Sequence, residues 1–226
     1  METRPVIDLH THTLLSDGEL VPAELARRVQ AAGYGVLGLA DHVDSGTLNG
    51  VLEVARASAL ALAGHLEGLT ILPGVEITHV PPALIGDMIR RARDQGASHV
   101  VVHGESPVEP VAPGTNLAAI EAGADILAHP GLLGEREADL AAEKGVFLEI
   151  SSRGGHCLGN GRVVRLARKY GAALLVNSDG HDPGDYLTPE LQRTVALGAG
   201  LDEEEFAALM AGAARLAATA RRRVHA

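Results

Sequence analysis

Seven short apolar runs punctuate the chain, spaced so that one helix fits between each and the next. They are Val6–His10, Val36–Asp41, Thr70–Glu76, His99–His103, Asp125–His129, Val146–Ile150 and Ala173–Asn177. Apolar positions within them are nearly continuous rather than alternating, the pattern of parallel strands buried on both faces. The intervening stretches carry helical signals. Pro22–Ala32 opens on a proline at a helix entry and stops at Gly33. Further helices are expected over Leu48–Leu66, Pro82–Gln95, Asn116–Ala122, Glu135–Lys144, Gly161–Tyr170, Pro189–Leu197 and Asp202–Ala220. Gly33, Gly96, Gly123, Gly145 and Gly171 stand where a left-handed residue would close a helix before the next strand.

Strand–helix units in series predict a parallel α/β fold. The pattern alone admits both a closed barrel and an open doubly wound sheet. No glycine-rich phosphate loop follows the first run, which weakens the dinucleotide-binding version of the open sheet. No linker or repeat interrupts residues 1–226, so a single domain is expected. Pro107–Pro113 reads as a short loop, and Arg221–Arg223 as a solvated helix end well placed against the helix dipole.

Composition narrows the picture. The 226 residues are 46% hydrophobic but only 2% aromatic, so Ala, Val, Leu and Gly must build the core. The formal net charge is -10, which opposes long nucleic-acid tracts and anionic membranes as partners. An anionic substrate is still compatible, because bound metal ions reverse the local field. Cys157 is the only cysteine, which excludes an intramolecular disulfide. No N-terminal signal and no run apolar enough to cross a bilayer is apparent, so a soluble cytoplasmic protein is expected, without a membrane partner.

Polar residues gather at the ends of the runs. The first ends in Asp8-Leu9-His10-Thr11-His12, followed by Ser16-Asp17-Gly18; the second ends in Asp41-His42 and the third in Gly74-Val75-Glu76. The fourth and fifth end in His103 and His129-Pro130, and the seventh leads into Asp179-Gly180-His181. Parallel strands of a barrel point their C-terminal ends to one face, where active sites are built. Taken singly, a strand-end histidine is a satisfied core residue more often than a ligand, Glu76 could pair with an arginine, and Asp179 could cap a helix. Taken together, this many buried acids and imidazoles at one face need a common reason, and metal ligation supplies it.

As a set, His10-Thr-His12, Ser16-Asp17-Gly18, Asp41-His42, Gly-Val-Glu76, His103, His129-Pro130 and Asp179-x-His181 resemble the PHP (polymerase and histidinol phosphatase) superfamily, in order, from Asp8 to His181. The resemblance implies a distorted (β/α)7 barrel with a two- or three-metal site. By matching position, His10, His12, Glu76 and Asp179 would hold one ion. Glu76 would bridge to a second, held also by His103 and His129, and Asp17, His42 and His181 would hold a third. Mixed nitrogen and oxygen ligands suit Zn, Mn or Fe. Asp8 and Asp41 would either orient an imidazole N–H or cap a turn.

The activity implied is hydrolysis of a small phosphomonoester by a metal-activated hydroxide, with Glu76, Asp179 and Arg153 as catalytic residues. Histidinol phosphate, a nucleotide or a sugar phosphate would serve as substrate. Arg153, in Glu149-Ile-Ser-Ser-Arg153 after the sixth run, would grip the phosphate, with Ser151 or Ser152 donating a hydrogen bond. His79 and His156 read as exposed loop residues near the mouth, and Glu105 would bind an amine or face solvent. Two other functions stay open: a phosphodiesterase or exonuclease acting on short oligonucleotides or cyclic phosphates, and a non-catalytic barrel that binds a metabolite or joins an assembly.

Overall fold

In the computed structural model, which describes residues 4–224, every apolar run becomes parallel strand. In chain order the elements are β1 (Val6–Thr11), α1 (Pro22–Ala31), β2 (Tyr34–Leu39), β3 (His42–Val43), α2 (Leu48–Leu62), β4 (Thr70–Pro73), β5 (Val75–Ile77), α3 (Pro82–Asp94) and β6 (Val100–His103). There follow α4 (Thr115–Glu121), β7 (Ile126–Ala128), α5 (Glu135–Lys144), β8 (Phe147–Ser151), α6 (Asn160–Tyr170), β9 (Leu174–Asn177), α7 (Pro189–Gly198) and α8 (Glu203–Val224). Helices alternate with strands throughout, giving the α/β fold expected. Gly145 and Gly171 close α5 and α6 in the left-handed conformation, and each amide bonds back to a carbonyl of the last turn.

Two expected runs divide. Val36–Asp41 breaks into β2 and β3 around Ala40-Asp41, and Thr70–Glu76 breaks into β4 and β5 at Gly74. The lower halves form a three-stranded sheet, β1-β2-β4, while the upper halves join a six-stranded sheet, β3-β5-β6-β7-β8-β9. Gly74 is where the strand bends, and a side chain there would collide with the His99 imidazole. The ring closes between β9 and β1: Asp179 N donates to His10 O (3.0 Å) and His12 N to Gly180 O (2.9 Å). Lower down, the Asn177 side chain accepts from Leu9 N at 3.0 Å in place of a ladder bond. This is the closed alternative, a distorted barrel, and the site lies where the closure is made.

The barrel interior holds Leu9, Ala40, Leu72, Val101, Ile126, Ala128 and Leu175, plugged by Ala213, Leu216, Ala217 and Ala220 of α8. Alanines on that face let the helix approach closely, which is how a chain almost without aromatic residues fills its centre. Helix α8 runs past the expected end at Ala220. Its final turn is not simply solvated: Arg223 Nη1 donates to Asp125 Oδ1 (2.9 Å) and Ser98 O (3.0 Å), tying the helix to the barrel floor. Helix α2 stops at Leu62, short of the expected Leu66, because Ala63 turns extended and Gly64 adopts positive φ.

Candidate metal centre

The side chains of the expected ligand set converge on one mouth, all but Asp17 from the strands that end there or from the residues just after them. His10 and His12 lie at the end of β1, His42 in β3, Glu76 in β5, His103 closing β6, His129 after β7, and Asp179 and His181 after β9. His10, His12, Glu76, His103, His129 and Asp179 are buried, whereas Asp17 reaches in from an exposed turn.

The donor atoms form overlapping groups, among them His10, His12 and Asp179; Glu76, His103 and His129; and His12, Asp17, His42 and His181. Around the first, His12 Nε2 lies 3.1 Å and His10 Nε2 3.5 Å from Asp179 Oδ1. Glu76 is central: Oε1 is 3.3 Å from His10 Nε2 and 3.7 Å from His129 Nε2, while Oε2 is 2.6 Å from His42 Nδ1. In the second group, Glu76, His103 and His129 each offer one atom within 4.8 Å of the others. In the third, Asp17 Oδ1 is 3.2 Å from His181 Nε2 and 3.5 Å from His42 Nε2.

Hydrogen bonding separates these imidazoles from ordinary core histidines. Both ring nitrogens of His12 and His129 are buried with no hydrogen-bond partner, as are His10 Nε2 and Glu76 Oε1. Leaving a buried polar group unsatisfied costs on the order of 1–3 kcal/mol, so several in one place call for a ligand. His99 is the contrast. It is equally buried, but Nε2 is 2.9 Å from Leu9 O and Nδ1 2.9 Å from Ser98 Oγ. His99 is thus a structural histidine, whereas His10, His12 and His129 keep buried nitrogens open for a ligand. The residues present fit divalent ions.

Charge distribution agrees with that fit. Burial, reinforced by the charges of neighbouring imidazoles, holds His12 and His129 well below the ordinary histidine value, so both present neutral lone pairs at neutral pH. Burial raises the Asp179 carboxyl to about 7, with Glu76 and Glu149 adding to the rise and His10 opposing it. Glu76 goes the other way: burial alone would raise it, but the charges of His10 and His42 hold it well below the usual carboxylate range.

Three site residues, His79, His129 and Asp179, have positive φ of 52°, 27° and 53° without being glycine. Such strain is held at ligand-bearing and functional positions when the surroundings over-determine it.

Several supporting roles differ from expectation. Of the two roles left open for them, neither Asp8 nor Asp41 takes the imidazole-orienting one, and Asp41 takes the turn-capping one. Asp8 accepts from the His10 and Ser178 amides and the Tyr34 hydroxyl, pinning the β1–β9 closure. Asp41 accepts from Thr13 N (2.7 Å) and Ser16 Oγ (2.8 Å), which shapes the turn that delivers Asp17. The carboxylate that does orient an imidazole is Glu149 of β8, whose Oε2 lies 2.8 Å from His10 Nδ1 and also accepts from Asn177 Nδ2. A charged residue inside the run Phe147-Leu-Glu-Ile-Ser was the available signal.

Arg153 reaches the mouth. Its Nη1 donates to Asp179 O (3.0 Å) and Asp185 Oδ2 (3.2 Å) and stands 2.7 Å from His181 Nδ1. Ser151 and Ser152 do not reach it. The buried Ser151 Oγ accepts from Arg153 N, and Ser152 Oγ donates to Ser178 O, so both hydroxyls serve the backbone. His156 is buried rather than an exposed loop residue, and Glu105 neither faces solvent freely nor waits for an amine, because its carboxylate accepts from the Gly114 and Asn116 amides. The mouth has a volume of about 250 Å³ and is lined by Asp17, His42, His79, Glu109, Arg153 and His156 among others. A larger cavity of about 730 Å³, between α2, β4 and the end of α8, is lined mainly by apolar and surface side chains. Among the described residues no helix is long and apolar enough to cross a membrane.

No family model matches the chain. It is 42% identical, over 88% of its length and 91% of the relative's, to an uncharacterized protein of Methanocaldococcus jannaschii. It is 28% identical, over 84% of its length and 79% of the relative's, to ribonuclease P protein component 3 of Methanosarcina mazei. A shorter match, 33% identical over 41% of this chain and 37% of the relative, is to the 3',5'-nucleoside bisphosphate phosphatase of Chromobacterium violaceum. Among solved structures, a chain of archaeal ribonuclease P with mature tRNA superposes with a TM-score of 0.69 at 15% identity, covering 93% of this chain and 90% of that one. Histidinol phosphate phosphatase of Lactococcus lactis, complexed with zinc, L-histidinol and phosphate, superposes with a TM-score of 0.63 at 14% identity, covering 86% and 94%. A parallel barrel closed between its last and first strands, with imidazoles and carboxylates crowding one end, is the PHP superfamily fold.

Proposed function

We propose that the chain is a metal-dependent phosphoesterase acting on small phosphomonoesters. The reading is carried by one observation: buried imidazole nitrogens without hydrogen-bond partners converge with Glu76 and Asp179 at the barrel mouth. In this reading His10, His12, Glu76 and Asp179 hold one ion, Glu76, His103 and His129 a second, and Asp17, His42 and His181 a third, drawn from Zn, Mn and Fe. Such ions supply Lewis-acid charge to phosphoryl oxygens and lower the pKa of water.

The chain's own residues do the rest. Glu76 joins two of the groups and fixes their spacing. Glu149 holds the His10 ring so that Nε2 faces the centre. Arg153 offers a planar cation to non-bridging phosphate oxygens, held at the mouth by Asp185. A mouth of about 250 Å³ suits a phosphoryl group with a small leaving group. The 3',5'-nucleoside bisphosphate phosphatase relative lends support to a monoester substrate.

The ribonuclease P likeness favours a second reading, action on RNA phosphodiesters or attachment to an RNA-containing assembly. Against it stands the net charge of -10, which opposes binding of a long polyanion. Side-by-side kinetics with added Mn²⁺ or Zn²⁺ decide between them, using a monoester panel, a dinucleotide, a cyclic phosphate and a folded RNA. Faster cleavage of a monoester is expected. Faster cleavage of any diester overturns the monoester assignment. Turnover of none of them, with metal bound, leaves a binding barrel and overturns the enzyme.

A further inference from the structure

Beyond the nine expected ligands, the mouth contains a carboxylate that no pattern in the sequence singled out. Residues 104–114 form a loop after β6 that contains Pro107, Pro110 and Pro113. Its neck is pinned. Glu105 Oε1 accepts from Gly114 N (2.9 Å) and Asn116 N (3.0 Å), Asn116 Oδ1 accepts from Glu105 N (2.9 Å), and Asn116 Nδ2 donates to Pro130 O (2.9 Å). Val108 packs where a side chain on Gly155 would stand, at 3.1 Å, which seats the loop against the turn carrying His156. The loop is thus built to hold Glu109 inward. Its Oε2 lies 3.1 Å from His103 Nε2 and 3.2 Å from His79 Nε2, and its Oε1 lies 3.3 Å from His156 Nε2.

The contact with His103 carries the argument. His103 Nδ1 stands 3.1 Å from Gly104 O, an acceptor only, so that nitrogen bears the ring hydrogen. The neutral ring then points the Nε2 lone pair at a carboxylate oxygen. Two lone pairs at that separation repel unless a cation lies between them, either a second proton on the ring or a metal ion. A 3.1 Å gap is also the spacing of two donors that share an ion at roughly 2.0–2.2 Å from each. His103 Nε2 has a single lone pair and belongs to both the Glu76–His103–His129 group and the His79–His103–Glu109 group, so any ion it holds is common to both. His79 keeps a left-handed backbone (φ 52°), and the buried His156 Nδ1 has no hydrogen-bond partner. Both are features of a place shaped around a ligand.

We propose that Glu109 is a further carboxylate ligand of the ion held by His103, presented by the pinned loop 104–114 between His79 and His156. The inference rests on the metal-centre reading above. Its consequence is that this ion carries one more negative ligand and is retained more tightly than Glu76, His103 and His129 alone would hold it.

Calorimetric titration of chelator-stripped protein with Mn²⁺, and separately Zn²⁺, tests it, comparing the parent with Glu109→Gln and Glu109→Ala. Loss of a partner that only orients a ligand already weakens metal affinity about 10- to 100-fold. Loss of Glu109 should weaken one binding step by at least that much and leave the others within about twofold. Unchanged affinities in every step, with the parent binding metal, overturn this inference and leave the metal centre standing. A parent that binds no metal overturns both. Anomalous diffraction from Mn²⁺-soaked crystals of the parent gives a reading independent of variant folding. A Glu109 oxygen about 2.2 Å from the ion at His103 supports the assignment, and a carboxylate turned away from that ion overturns it.

Discussion

Replacing His99 with glutamine separates the histidine that builds the fold from those held open for a ligand. His99 is fully buried, and burial is the main cause that pushes its pKa down from 6.5 to about 4. The unfolded chain therefore binds a proton at this residue over a range where the folded chain does not. Stability from this group is complete above about pH 6.5 and is lost as the pH falls towards 4. The full interval is worth about 3 kcal/mol, and about 2 kcal/mol of it is gone by pH 5. Glutamine does not titrate, and its amide can still donate to Leu9 O and accept from Ser98 Oγ, the two partners of the imidazole. Urea unfolding of chelator-stripped parent and His99→Gln at about pH 7.5 and about pH 5 measures the difference. The parent should lose about 2 kcal/mol more than the variant on acidification, while both bind Mn²⁺ equally once restored to neutral pH. Parallel losses in the two proteins would refute the reasoning, and so would loss of metal binding in the variant, which would make His99 part of the centre.

Glu76→Gln is expected to lower turnover by more than about 100-fold, since a joining carboxylate matters more than an orienting one, with the melting temperature of the stripped protein nearly unchanged; kinetics within a few-fold of the parent would mean the joining residue is another. Glu149→Gln should weaken metal binding about 10- to 100-fold by removing the charge behind the His10 ring, read by competition against a fluorescent chelator. Arg153→Ala should raise KM for monoesters about 10- to 100-fold, the worth of a charge-assisted hydrogen bond, and Lys should restore only part of it because its ammonium cannot make the paired planar contact. Unaltered KM would show that Arg153 serves only its ion pair with Asp185.

Much of this architecture was legible because buried parallel strands impose a strong pattern. Continuous apolar runs, helix-closing glycines and polar residues at run ends located the barrel's elements and the mouth. Closure was not legible in the strand–helix pattern and came only with the family resemblance, since it depends on Asp179 N, His12 N and Asn177 bonding across most of the chain length. His103 was marked by its place at the end of its run, but the role of His99 at the start of the same run was not legible, because it depends on Ser98 Oγ and Leu9 O meeting the ring in three dimensions. Glu149 did leave a trace, as a charge inside a run buried on both faces. Glu109 left none: it lies on a proline-rich loop without periodicity, and only the Glu105–Asn116 clasp turns it inward. Ser151 and Ser152 were misleading in the opposite sense, since a hydroxyl at a strand end satisfies its own backbone as readily as it meets a substrate.

The most direct test of the central claim joins metal content to hydrolysis in one preparation. Protein purified without chelator is analysed for its elements and assayed on a phosphomonoester, then stripped, then reloaded. Two to three divalent ions per chain are predicted, with hydrolysis lost on stripping and restored by Mn, Zn or Fe. A metal content near zero that incubation with these ions does not raise, or hydrolysis that survives complete stripping, would contradict the account.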